Sequence, residues 1–62
     1  MAGIVLRFIA WLGTQIWRYG LRVVNAIIAW VRANWRRVQH WIESSVAYGT
    51  IVQWILDILG LG

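Results

Sequence analysis

The chain has no cysteine, no proline and no lysine, and only two acidic residues, Glu43 and Asp57. Without cysteine it can form neither a disulfide framework nor a thiolate metal site, and secretion is neither supported nor excluded on that ground. At 62 residues, read as one domain over 1–62, it sits near the lower size limit at which a hydrophobic core holds a fold unaided. Packing alone must stabilise it. The shortage of acids leaves six arginines to set a net charge of +4, which points to an anionic partner, either phosphate backbones or phospholipid headgroups. Arginine suits both, because its planar fork binds phosphate oxygens in pairs and stacks on aromatic rings. A GC-rich coding bias accounts for the same preference over lysine.

What fills the chain instead is apolar: 61% of residues are hydrophobic and 13% are charged, against roughly 25% charged in a typical soluble domain. A helix in a small bundle hides about half of its residues. The surplus must face a membrane, a partner chain or further copies of the molecule. No secretory leader is expected, because Arg7 interrupts the apolar start MAGIVLRFIAWLG. No spanning helix is expected either, since the longest charge-free run, Ser44 to Leu56, holds 13 residues and includes Ser, Thr, Gln and Gly.

The absence of proline and of long polar linkers predicts helices with short connections. The spacing places a first helix at Ile4 to Tyr19, a second at Leu21 to Ala33, a third at Trp35 to Ser45 and a fourth at Thr50 to Leu59. The expected fold class is all-α, a compact bundle of four short amphipathic helices. Gly20 is expected to end the first helix in the left-handed conformation, Asn34 to cap the third, and Gly49-Thr50 to separate the last two. Gly13-Thr14 is a weak point, across which the Ile16, Trp17, Arg18 pattern continues in phase.

At about 100° per residue, Arg7, Trp11, Thr14 and Arg18 share one face of the first helix, opposite Val5, Phe8, Ile9, Leu12 and Ile16. Trp11 therefore falls among arginines, away from the expected core. The second helix sets Val23, Val24, Ile27, Ile28 and Val31 against Arg22, Asn25, Ala29 and Arg32, with Trp30 at the border. On the third, Trp35, Val38 and Ile42 turn inward, Arg36, Gln39, His40 and Glu43 outward, and Arg37 with Trp41 occupy the flank. The fourth, TIVQWILDIL, is apolar nearly all round and reads as the most buried, at the bundle's centre or poised to enter a bilayer. Trp35 and Trp17 are expected to be structural.

Catalysis finds little to use: His40 and Glu43, three apart, read as a solvated helical pair, and a metal needs a third ligand where only Asp57 remains. No phosphate-cradling glycine loop is present, so neither enzyme, metal nor cofactor is expected. Nucleic acid is a weak fit, because the arginines spread over three predicted helices in a chain greasier than such a domain needs. A membrane surface accounts for more at once. Six tryptophans suit the headgroup boundary, and each arginine adds about 1 kcal/mol near an anionic surface.

Met1 to Gly3, Tyr19-Gly20, Ala29-Trp30 with Ala33-Asn34, Trp41-Ile42 and the apolar Trp54 to Gly60 are similar to stretches of the leaderless bacteriocins of the aureocin and lacticin Q type. That resemblance runs along nearly the whole chain in short motifs. It implies a saposin-like bundle, secreted without a leader, that permeabilises target bacteria without a protein receptor. This chain departs from the family in carrying no basic residue in its last helix, so the first lipid contact is expected from the other helices. The expected membrane-binding residues are Arg7, Trp11, Arg18, Arg22, Arg32, Arg36, Arg37 and Trp41, and the expected partner is anionic phospholipid, with self-association on the membrane left open. Two other readings remain: a toxin or holin-like peptide acting on its producer's own membrane from inside, and an oligomerisation module.

Overall fold

The structure, a computed structural model, describes residues 2–61. Its helices are α1 (Gly3–Gly13), α2 (Ile16–Tyr19), α3 (Leu21–Ala33), α4 (Trp35–Glu43) and α5 (Tyr48–Leu59), and the described residues contain no strand. The Cα radius of gyration is 10.5 Å, close to the roughly 11 Å of a compact chain this long.

Each long helix buries a stripe at three- and four-residue spacing, the signature of one apolar face on a 3.6-residue turn. Val5, Phe8 and Leu12 form it on α1, Val24, Ile27 and Val31 on α3, and Ile51, Val52, Ile55 and Leu56 on α5. α4 contributes Val38 alone and α2 contributes nothing. α3 packs against all four other helices and is the hub. The central place expected of the last helix therefore belongs to α3, although α5 buries the most side chains. Gln53, Trp54, Asp57 and Ile58 on α5 face outward.

The first predicted helix is broken, which makes five helices of the expected four. In a continuous helix the Trp11 carbonyl would accept the Gln15 N–H. Here the Thr14 N–H takes that carbonyl at 3.0 Å and the Thr14 hydroxyl donates to it at 2.6 Å. The Gln15 N–H turns instead to Leu12 O at 2.9 Å, a tighter three-residue bond. Gln15 O then starts α2 by accepting from Arg18 and Tyr19 at 3.0 and 3.1 Å. Side-chain phase continued across the break, but backbone hydrogen bonding did not.

Three caps also differ from expectation. Asn34 Nδ2 donates to Trp30 O at 2.9 Å, so this side chain closes the end of α3 and leaves the start of α4 without a side-chain cap. Gly20 is not in the left-handed helical region but at φ 85°, ψ 153°, a conformation open essentially to glycine only. Gly49 and Thr50 lie inside the first turn of α5, and the connection is made earlier, at Ser45, with φ 65°. There the Val46 N–H reaches Trp41 O and the Ser45 N–H reaches Ile42 O, both at 3.0 Å, a Schellman pair with serine where glycine is usual. The same motif ends α5 with glycine in place: the Leu61 N–H bonds Leu56 O at 2.8 Å and the Gly60 N–H bonds Asp57 O at 3.2 Å.

These backbone angles predict opposite outcomes for two substitutions. Ser45→Gly relieves a side chain held at positive φ and should stabilise the fold by about 1 kcal/mol, raising Tm by roughly 4–8 °C. At Gly20 an added Cβ meets no atom within 4 Å, yet Gly20→Ala should cost about 1–3 kcal/mol through the backbone alone. Thermal unfolding followed by far-ultraviolet circular dichroism checks both, and an unchanged midpoint for either contradicts the corresponding angle.

Candidate functional site

The core comprises Val5, Phe8, Leu12, Val24, Ile27, Val31, Val38, Ile51, Val52, Ile55 and Leu56, aliphatic throughout except for Phe8, and among the described residues no polar side chain is buried. Every tryptophan lies outside it: Trp11, Trp30, Trp35 and Trp41 are half-buried, Trp17 and Trp54 exposed. All six arginines are exposed as well. Among the described residues there is no pocket, and no three His, Cys, Asp or Glu side chains stand close enough to share a metal. What remains to act is the surface.

The half-buried aromatics form two seams. Trp11 stacks on Phe8 at 6.0 Å between ring centroids, and both meet Tyr48, at 5.2 and 5.0 Å, which ties α1 to the start of α5. Trp30 stacks nearly parallel on Trp41 at 5.9 Å, and Trp41 meets Trp54 edge-on at 5.1 Å, which joins α3, α4 and α5. Offset and edge-on pairs at these separations contribute about 0.5–1.5 kcal/mol each beyond their buried area. The Arg37 guanidinium lies 5.2 Å from the Trp41 ring and 6.0 Å from Trp30, while Arg36 lies 5.4 Å from Trp35 and Arg18 lies 5.6 Å from Tyr19. Such contacts leave the charge at the surface while its flat face covers a ring.

The structure keeps the expected Arg37–Trp41 flank and rearranges the rest. Trp11 is not on an exposed arginine face; it packs half-buried on Phe8 and Tyr48. The face expected to run from Arg7 to Arg18 is divided, because the helix that would carry it ends at Gly13. Trp35 is half-buried rather than core, and Gln39 is half-buried rather than outward. Arg22 and Arg32 stand exposed at opposite ends of α3, with Arg36 and Arg37 on α4.

Trp17, expected to be structural, is 81% exposed, the barest large apolar side chain among the described residues. With Ile16 and Leu21 it forms one apolar group at the α2–α3 junction. Trp54 and Ile58 are exposed on α5 and Leu61 just beyond its end, while Leu6 is exposed on α1. The sequence signal for Trp17 was present in Gly13-Thr14: once the helix stops there, the four residues of α2 are too few to build a stripe facing the core.

The seam and the bare ring should respond differently to truncation. Trp41→Ala removes two ring pairs and should cost about 1–3 kcal/mol in those contacts alone. Trp17→Ala should stay within about 0.5 kcal/mol of the parent. Urea unfolding measures both, and a large loss from Trp17→Ala would mean that its ring is packed in solution.

Compared with protein-family models, with curated proteins and with solved structures, the chain matches none.

Proposed function

We propose that the chain is a membrane-permeabilising antimicrobial peptide, of the leaderless bacteriocin kind and of saposin-like shape, that acts from outside on anionic bacterial membranes. The observation that carries this reading is the joint exposure of all six arginines with a bare tryptophan and bare aliphatic side chains, around a core that holds nothing polar. Arg7, Arg18, Arg22, Arg32, Arg36 and Arg37 supply attraction to anionic headgroups. The partner is the lipid itself, with no protein receptor.

No described helix is long and apolar enough to cross a bilayer. The longest, α3, has 13 residues, about 20 Å at the helical rise, against a hydrocarbon thickness of about 30 Å. Insertion therefore proceeds with helices lying in the plane of the interface. For that the bundle must open, and its construction makes opening in lipid inexpensive. The side-chain hydrogen bonds of the described residues join Thr14 to Trp11, Gln15 to Thr14, Asn34 to Trp30 and Gln53 to Asp57, each within four positions of chain. None ties one long helix to another. Apolar contact holds the helices together in water, and acyl chains offer the same contact, so that force vanishes at the boundary.

Peptide added to dye-loaded vesicles tests the reading. Anionic vesicles should leak and neutral ones should not; equal leakage, or none from either, would sink the proposal. On the anionic vesicles far-ultraviolet dichroism should persist while the near-ultraviolet signal of the tryptophan seams collapses, since the helices separate without unwinding. Retention of both signals during leakage would exclude the opening step.

A further inference from the structure

We propose that the elbow from Ile16 to Arg22 is the part of the molecule that first enters an anionic lipid surface, an inference that rests on the membrane reading and assigns its point of contact. Within these seven residues Ile16 is 40% exposed, Trp17 81% and Leu21 58%, and Arg18 and Arg22 are exposed beside them. α2 buries no residue fully; Tyr19 packs half-buried against the core and holds the elbow on the bundle, while Ile16, Trp17 and Arg18 face outward. An indole and two aliphatic side chains fit the boundary between headgroups and acyl chains. The flanking guanidiniums meet phosphate oxygens at the same depth.

Charge decides between this surface and its rivals. Trp54 and Ile58 are exposed on α5 and Leu61 just beyond it, but the one charged residue on that helix is Asp57, which is exposed and which anionic headgroups repel. On α4 no large apolar side chain is exposed beside Arg36 and Arg37, and Glu43 shares the helix. Leu6 and Arg7 offer a single apolar side chain beside a single charge. Among the described residues only the elbow combines several bare apolar groups with two arginines, and neither acid of the chain belongs to α1, α2 or α3.

The test compares two charge-matched variants on vesicles of phosphatidylglycerol and of phosphatidylcholine. Arg18→Gln/Arg22→Gln should bind phosphatidylglycerol about thirtyfold more weakly, as two contacts of about 1 kcal/mol each require, and should leave phosphatidylcholine binding unchanged. Arg32→Gln/Arg36→Gln, which loses the same charge elsewhere, should lose no more than about fivefold, the long-range share of one such contact. As a second readout, Leu21→Cys and Ser44→Cys each supply the sole thiol of the chain for an environment-sensitive dye. Emission from position 21 should shift to the blue on phosphatidylglycerol vesicles, and that from position 44 should not. Equal losses from the two arginine pairs, or equal shifts from the two dyes, overturn the elbow while leaving the membrane reading in place. A parent chain that binds neither vesicle overturns both.

Discussion

Among the described residues the long helices are joined by apolar and aromatic contact, with the Arg37 guanidinium over Trp30 as a charged contact between α3 and α4 and no side-chain hydrogen bond between long helices. Among the described residues, all eleven buried side chains are hydrocarbon, and the side-chain hydrogen bonds stay within single local stretches of chain. The bundle is therefore as strong as water makes it, because burial of apolar area is a property of the solvent as much as of the protein. A buried ion pair or hydrogen bond would have kept its strength in a dry medium and held the helices together there. Their backbone bonds, by contrast, are internal to each helix and survive the change of solvent. For the proposed membrane action, this core composition favours a fold that holds in water and loosens in lipid.

The same core accounts for the placement of the tryptophans. A chain this short encloses little volume, and small aliphatic side chains with one phenylalanine fill it. Indoles are left at the perimeter, where one edge can pack and the other stay wet. Most of them close gaps between helices: Trp11 against Tyr48, and Trp30, Trp41 and Trp54 against one another. The arginines extend these seams outward, with Arg37 over Trp30 and Trp41 and Arg36 over Trp35. A planar guanidinium can lie on a ring and remain charged, which a compact ammonium does less well, so the exclusive use of arginine suits a surface built this way.

Much of this was legible in the residues. The stripe Val24, Ile27, Val31 of α3, its bounds at Leu21 and Ala33, and the apolar side of α1 all follow from helical periodicity, because burial and period report the same fact. Periodicity is silent about backbone bonding, and there the reading failed. Ile16, Trp17 and Arg18 keep phase with α1 although Thr14 takes the Trp11 carbonyl, so the predicted helix runs on, and Trp17, expected to be structural, is left bare by the break. The misplacing of Trp11 has a different cause: the wheel sets it between Arg7 and Arg18, but Tyr48 of α5 covers it, a contact that the period of one helix does not report. Asn34 shows the same limit: it lies between two helices, and composition does not say which of them its amide will close. Ser45 carries a left-handed turn normally marked by glycine, so Gly49 drew the boundary too late. Of the candidate surface, the six arginines and the Arg37–Trp41 flank were legible, and the elbow was not.

On the proposed membrane reading, the elbow's position in the fold would link contact with lipid to opening of the core. Its bend is made at Gly20, and Trp17 is 81% exposed, so lipid can surround that ring without first disturbing any buried side chain. Leu21, exposed in the elbow, is also the first residue of α3, and it lies three positions before Val24. From there the spacing continues through Ile27 and Val31, so one line of apolar side chains runs from the bare tip into the centre of the bundle. α3 is the helix on which all the others pack. As acyl chains cover Leu21, the next residues that gain by following it are those holding the hub in place, and each that transfers loosens the contacts of α1, α4 and α5 together. On that reading, docking at the elbow would draw first on α3, the helix that touches all the others.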